Sequence, residues 1–443
     1  MSIYGIDLGT TNSLIGLHDT NYLSEIVPSC VNMETGEAGA RFYDDVSAMR
    51  SFKIDMSMGT EGITSRTASK FVLEELVRTA KKDTGDDVKD VCISVPAYFS
   101  DSQRVATIKA AEAAGLNVKG LVNEPTAAAT YITQNHKGLY VVFDLGGGTF
   151  DCTILDSRFG TFDVQATDGL CLGGDNFDTN IMRNFIKEGS IPFHHMNKEQ
   201  RAALKHFASK IKVQMQKEKA PIDVDLTPYG GGVYTFTPDT YVALMKMTFG
   251  NAINCMKRLV REWIPSTEVY QVLLVGGSTH CPYLHDWIED EIGVTLPSMN
   301  YDPDRVVAQG AAYYATLIEN GSLGITVSDV TPALSVGLID GTCDVIVQAN
   351  SKIPLTEVKM FTNSMRASAL ILDLYQGNNI MASANEKIGT MTWDYGEMKE
   401  PYECHVMVKV SIDVNGVITF SANEDLKPEQ SVVLNRNIKA KGN

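Results

Sequence analysis

Phe143-Asp144-Leu145-Gly146-Gly147-Gly148-Thr149 closes an apolar run that begins at Leu139, and Ile6-Asp7-Leu8-Gly9-Thr10-Thr11 closes another at the start of the chain. The order suits phosphate binding. A carboxylate at a strand end can hold a hydrated divalent cation, because Mg²⁺ keeps most of its waters. The glycines let the backbone turn and point N–H groups at phosphate oxygens. Thr10, Thr11 and Thr149 add hydroxyls at the same place. A single Asp-Leu-Gly also suits an ordinary β-turn. Two copies, each after a buried-type strand and each followed by threonine, point to two related lobes offering loops to one ligand. A third turn of this kind, Val275-Gly276-Gly277-Ser278 after Val272-Leu273-Leu274, is a candidate third wall.

Outward from these loops, Val91 to Val95 and Val272 to Val275 read as further buried strands, with helices between them, which indicates α/β architecture up to about Gly321. Ser100 and Gln103 form a capping-box pattern before Arg104 to Ala114, and Ser69 to Lys82 carries an apolar stripe at Val72, Leu76 and Ala80. After Asp329 the period changes to two. Leu370, Leu372 and Leu374 share one strand face; Val406, Val408, Val410 and Ile412 share another; Asn415-Gly416 reads as a two-residue hairpin. An antiparallel β domain over 331–443 is expected, joined by a linker over 323–330 to an α/β domain over 1–322.

With a formal net charge of -16, nucleic acid and anionic membrane are poor candidates as partners. No run of about 18 apolar residues is present to span a bilayer, and Met1-Ser2-Ile3-Tyr4 enters a strand without a leader pattern. The 8 cysteines are scattered without a C-x-x-C pair and read as buried thiols in a reducing compartment. A cytoplasmic protein is expected.

Taken together, these stretches resemble the seventy-kilodalton heat-shock chaperones of the DnaK type, within the actin-like ATPase superfamily. The resemblance is carried by Gly5 through Ser13, Val95-Pro96-Ala97-Tyr98-Phe99, Asn123-Glu124-Pro125-Thr126-Ala127-Ala128-Ala129, Asp144 through Asp151, Leu172-Gly173-Gly174, Leu274 through Ser278, Asp302-Pro303-Asp304 and Asp329-Val330-Thr331-Pro332. It implies a two-lobed actin-like ATPase domain with duplicated ribonuclease-H-like lobes, followed by an antiparallel β-sandwich that clasps extended apolar peptides. ATP or ADP with Mg²⁺ is the implied ligand.

By resemblance, Asp7 and Asp144 stand beside the metal, and Glu124 and Asp151 order water. Lys53 reaches the γ-phosphate, and Thr149 joins the catalytic set. Gly9, Asn12, Gly146, Gly147, Gly148, Gly173 and Gly174 complete the phosphate cradle with the three threonines. Lys210, Gly276, Gly277, Ser278, His280 and Asp304 match adenosine contacts. Phe361, Leu370 and Leu372 match the peptide channel, and Pro96, Arg104 and Asp329 the coupling between domains. From the residues alone, Lys53 and Arg104 are plain surface side chains and the three apolar residues plain core.

The chain departs from the family at His280, usually an arginine, and at Phe207 and Gln214, usually a glutamate and a serine. The segment between Met58 and Ser69 is short, Gly120 replaces a basic residue used for J-domain contacts, and the linker reads Ile325-Thr326-Val327-Ser328 rather than leucines. With no lid helices before Asn443, the expectation is a minimal lidless chaperone that releases peptide fast, with contacts to a J-domain protein and an exchange factor weakened. An actin-like filament protein, a nucleotide sensor with one dedicated partner and, less well supported, a sugar kinase are the other readings.

Overall fold

The computed structural model describes residues 2–56, 59–134, 136–320, 327–424 and 430–432. It resolves into two units. One comprises Met1–Tyr98 and Ala106–Val327; the other groups Phe99–Val105 with the chain from Ser328 onward.

The first unit is built on two mixed sheets that repeat one plan. β1 (Tyr4–Leu8) pairs antiparallel with β2 (Asn12–Leu17) and parallel with β3 (Asp90–Val95), which pairs parallel with β4 (Asn117–Asn123). β5 (Leu139–Leu145) pairs antiparallel with β6 (Phe150–Asp156) and parallel with β8 (Gln271–Val275), while β7 (Phe162–Leu170) lies on the far side of β6. Each Asp-Leu-Gly stretch is thus the turn of an antiparallel hairpin whose first strand also has a parallel neighbour. Asp7 lies opposite Ser94 and Asp144 opposite Val275 in those parallel registers. The strands are apolar throughout because both faces are covered: every residue of β5 and β6 is buried.

Helices close the layers. α1 (Gly59–Thr84) and α2 (Asp101–Ala113) precede α3 (Glu124–Thr133); α4 (Gly174–Glu188), α5 (Lys198–Glu218), α6 (Pro238–Trp263) and α7 (Pro282–Ile292) belong with the second sheet. The capping-box reading is visible at α2, where the Ser100 N–H donates to Gln103 Oε1 at 3.0 Å. α8 (Val306–Glu319) returns to the first sheet, packing on β1 and β3 and against α3. Two glycines permit that return. A Cβ at Gly5 would stand 2.0 Å from the Ala312 nitrogen, and one at Gly310 2.0 Å from the Ala127 carbonyl oxygen.

The second unit carries strands, and no α-helix, among its described residues from Ser328 on. β9 (Leu334–Gly337), β10 (Cys343–Val347), β12 (Ala367–Gln376) and β13 (Glu386–Lys399) form one four-stranded antiparallel sheet. β11 (Leu355–Thr362), β14 (His405–Ile412), β15 (Ile418–Glu424) and β16 (Gln430–Val432) form another. Leu334, Val336 and Leu374 from the first sheet and Val406, Val408, Val410 and Phe420 from the second share one buried cluster.

Three expectations change. The Asn415-Gly416 hairpin is longer than two residues: Asp413 to Val417 form the turn, and of the Asn-Gly pair only Gly416 takes positive φ. The cysteines are all free, as expected, but Cys171 is exposed and Cys343 only half-buried. Half of the expected linker, 323–326 of 323–330, lies outside the described residues; Val327–Thr331 form a strand whose Asp329 lies opposite Ile353.

Gly310→Ala tests the α8 packing. Alanine gains about 1 kcal/mol of helix propensity over glycine, but the immovable carbonyl opposes it with an overpacking cost of about 1–3 kcal/mol. The urea midpoint of the first unit is expected to fall; a rise would show that α8 can shift away from α3.

Candidate functional site

Asp7, at the end of β1, is buried and accepts a 2.8 Å hydrogen bond from Ser94 Oγ on β3. The turn after it is tied to serines: Gly9 donates its N–H to Ser13 Oγ at 3.1 Å, and Ser29 Oγ donates to the Gly9 carbonyl at 2.8 Å. A Cβ at Gly9 would lie 2.0 Å from the Asn12 carbonyl oxygen, so only glycine fits. Thr10 is buried, Asn12 half-buried and Thr11 exposed.

The second loop is built against α4. The Gly146 N–H closes the turn on the Thr149 carbonyl at 3.0 Å. The first N–H groups of α4 then take the loop carbonyls: Gly174 donates to Gly146 at 3.0 Å and Asp175 to Gly147 at 2.7 Å. Gly173 is pressed on this loop, where a Cβ would meet the Gly147 carbonyl carbon at 2.5 Å and the Gly148 nitrogen at 2.6 Å. Ser278 Oγ donates to the Gly146 carbonyl at 2.9 Å, which brings the third turn to the same place. Gly276 takes a φ of 84°, and a Cβ there would lie 2.8 Å from Asp144 Oδ1. The two Asp-Leu-Gly loops meet face to face. A side chain at Gly147 would begin 2.1 Å from Thr11 Oγ1.

Between the loops lies a buried charge cluster. Lys53, which the residues alone suggest to be exposed, is buried on a short turn (Phe52–Asp55), and its Nζ lies 2.5 Å from Glu124 Oε1 at the start of α3. Ser51 before it adopts left-handed φ and donates from its hydroxyl to Asp175 across the cleft. Asp144 and Asp151 are buried too; Asp151 Oδ1 accepts the Tyr98 N–H at 2.9 Å. Burial pushes the Asp7 carboxyl up to about 7, helped by the charge of Glu124 and opposed by Lys53 and the Ser94 hydroxyl. Burial also pushes Asp144 well up, with Glu124, Asp151 and Asp7 adding to it. Asp144 Oδ2 is buried without a hydrogen-bond partner. An orphaned carboxylate oxygen inside an acidic cluster fits a hard divalent cation, with Asp7 and Asp144 the residues to hold its hydration shell.

Not every expected residue joins this cradle. Lys210 lies elsewhere, its Nζ 2.7 Å from Asp44 Oδ1. Two residues further along α5, Lys212 takes the place nearest the cradle: its Nζ pairs with Asp178 at 2.7 Å and would lie 3.3 Å from a Cβ on Gly174. Phe207 packs on Phe185 and Tyr229, and Gln214 bonds Glu218, so neither departure from the family pattern faces the loops. Spacing alone cannot choose between lysines two apart on a half-buried helix. Ser94 was also missed, because a serine within a strand gives no signal. His280 contacts Asp304 at 2.9 Å, and Asp304 lies against Gly277.

Pro96 is buried just after β3, and Arg104 is buried with its Nε donating to the Phe99 carbonyl at 3.3 Å. Asp329 Oδ1 accepts the Val330 N–H. In the second unit, Phe361 and Leu372 fill the core between the sheets and Leu370 packs partly buried against it.

A family model described as Hsp70 protein matches residues 44–441. The chaperone protein DnaK of Mycoplasmoides gallisepticum is 30% identical over 465 aligned positions, covering 95% of this chain and 78% of that protein. The DnaK of Mycoplasma mobile is 30% identical, covering 95% and 76%, and that of Mycoplasmopsis synoviae 29%, covering 99% and 79%.

The Asp7 environment sets a pH dependence. With its folded pKa near 7 and an unfolded value of about 3.9, the folded state holds the extra proton between those limits. Stability without metal therefore falls as pH rises through that window. Asp7→Asn removes this slope. Melting temperatures in EDTA are expected to favour the variant increasingly from about pH 4 to about pH 7; a constant difference would refute the assignment.

Proposed function

The chain belongs to the Hsp70 family and is an ATP-dependent chaperone of the DnaK type, and we propose that its first unit hydrolyses ATP at the Lys53–Glu124 centre to control peptide binding by the second. Members of this family are ATPases with an actin-like two-lobed fold. The observation that carries the reading is the buried Lys53–Glu124 pair among Asp7, Asp144 and Asp151, bracketed by two glycine loops.

In this reading the backbone N–H groups of the loops and the hydroxyls of Thr10, Thr11 and Thr149 hold the phosphates. A bound Mg²⁺ would neutralise phosphate charge, its waters held by Asp7 and Asp144. Lys53 faces charge that builds on the terminal phosphoryl group, and Glu124 both positions the ammonium and, with Asp151, orders the attacking water. Such transfer depends on positioning and electrostatics more than on covalent chemistry. Gly276, Gly277, Ser278, His280 and Asp304 form the wall beside the nucleoside, with Lys212 in the place first given to Lys210.

The domain assignment follows: an ATPase domain over 1–322 with duplicated ribonuclease-H-like lobes, a linker over 323–330, and a β-sandwich over 331–443 that takes extended apolar peptides. The two facing sheets with one core support the sandwich. Leu370 is already partly exposed, and Phe361 and Leu372 then become accessible to peptide only when the sheets part locally. Pro96, Arg104 and Asp329 are the proposed coupling residues, and a J-domain protein and an exchange factor are partners of the expected class. No helix among the described residues is long and apolar enough to cross a membrane, and we place the protein in the cytoplasm.

Lys53→Ala is the direct test. Single-turnover ATP hydrolysis is expected to drop by about 10²–10³-fold, the scale for losing one charge-stabilising donor, while nucleotide still binds. Unfolded peptides are expected to stimulate the wild type only. Hydrolysis without any peptide response would favour a sensor with a dedicated partner; unchanged hydrolysis in the variant would refute the site.

A second pair of variants separates the two lysines of α5. Lys212→Ala is expected to weaken MgADP binding by about tenfold, the equivalent of one charged hydrogen bond, and Lys210→Ala by less than about twofold, as for an exposed ion pair. The reverse order, read by calorimetry, would restore Lys210 to the wall.

A further inference from the structure

His280 sits where two arms of the proposed nucleotide wall meet. Gly276, in left-handed conformation, releases the chain from β8 into a short turn over Gly277–His280. That turn is fixed from below: Thr279 is fully buried with its hydroxyl donating to the Gly276 carbonyl at 2.7 Å, and Ser278 is tied to the Gly146 loop. The second arm is the turn through Asp302, Pro303 and Asp304. One main-chain bond joins the arms, from the Gly276 N–H to the Pro303 carbonyl at 3.1 Å. The other link is the imidazole, with His280 Nε2 2.9 Å from Asp304 Oδ2 and 3.7 Å from Asp302 Oδ1.

We propose that the His280–Asp304 contact is a protonation-controlled clasp on the rim of the nucleotide cradle, which makes nucleotide affinity rise as pH falls. The proposal rests on the nucleotide reading above. The protonated imidazole donates to Asp304 and cancels its charge, so the rim stays joined and presents little net repulsion to an anionic ligand. Loss of the proton removes the cation: a neutral imidazole still donates from Nε2 but no longer cancels the charge of Asp304. Asp304 is left without its cation beside a phosphate-bearing ligand, and Asp302 adds a second negative charge.

The remaining charges around the imidazole do not replace it. The Arg305 guanidinium is shared between Asp302, with Nε at 3.5 Å, and Glu25, at 3.3 Å. Lys212, behind Ser278, is paired with Asp178. His285 from α7 turns its Nε2 to the Thr279 carbonyl at 2.6 Å, away from the aspartates. The Asp304 hydrogen bond holds the His280 imidazolium above the ordinary histidine range, against the opposing effect of partial burial, with Asp302 adding to the rise. An arginine here would supply the same cation at every pH, since its guanidinium does not lose its proton.

The test is MgADP binding by calorimetry at about pH 6 and about pH 8, either side of the histidine range, on wild type, His280→Arg, His280→Gln and His285→Gln. The wild-type Kd is expected to rise by about three- to tenfold relative to His280→Arg over that interval, the scale of losing one partly exposed charge contact. His280→Arg should bind tightly at both pH values and His280→Gln weakly at both. His285→Gln should keep the wild-type slope. Taking the ratio to His280→Arg removes the contribution of Asp7, which is common to all four proteins. Equal slopes in wild type, His280→Arg and His280→Gln would overturn the clasp while leaving the nucleotide reading intact. Absence of MgADP binding in the wild type would overturn both.

Discussion

Asp7, Glu124, Asp144 and Asp151 are buried within one another's electrostatic reach, and Lys53 is the cation that shares their space. Removing a carboxylate from water costs several kcal/mol unless a partner compensates, so one ammonium cannot satisfy four. The chain answers in part with protons, since burial raises Asp7 and Asp144, and in part with the Ser94 hydroxyl and the Tyr98 N–H. A bound divalent cation would answer the rest. The doubled sheet plan follows from this demand: the acids come from the ends of β1 and β5, the first turn of α3 and the second residue of β6, which no single hairpin could bring together.

The glycines do complementary work. α4 spends its first N–H groups on the carbonyls of Gly146 and Gly147, and the Gly146 N–H closes on Thr149, so the loop is held from both ends. Gly147 against Thr11 and Gly173 against Gly147 leave no room for a methyl group. The acids set the charge of the site and the glycines its width, and both are needed before a polyphosphate fits.

Much of this could be read from the chain. The apolar runs ending in Asp7, Asp144 and Val275 become strands because their unbroken hydrophobicity needs two covered faces, and the period-two stretches after Asp329 become antiparallel strands for the opposite reason. The site divides differently. Loop residues adjacent in sequence were legible as loops. Ser94 and Lys212 were not, and Lys53 was legible by resemblance alone, because each acts through a contact distant in sequence: with Asp7, with Asp178 and with Glu124. Lys210 and Lys212 face different partners because a helix turns about 100° per residue, and a shift of two residues crosses to another side. Asn415-Gly416 misled about loop length because the two-residue turn that Asn-Gly favours needs positive φ at both positions, and Asp413 instead organises a longer one through its carboxylate bonds to Asn415 and Val417.

The path of the chain through the first unit begins on β1, leaves for the second sheet after α3, and comes back in α8, where Gly5 and Gly310 seat the helix on the strand it started from. The second lobe is therefore an insertion within the first, entered and left through neighbouring helices. One proteolytic nick near residue 137 severs a connection without freeing either lobe, since the fragments on both sides still contribute to the same sheet-and-helix stack. For the same reason, a shift of α8 is felt at β1 and at α3 together, and so at Asp7 and Glu124 at the same moment.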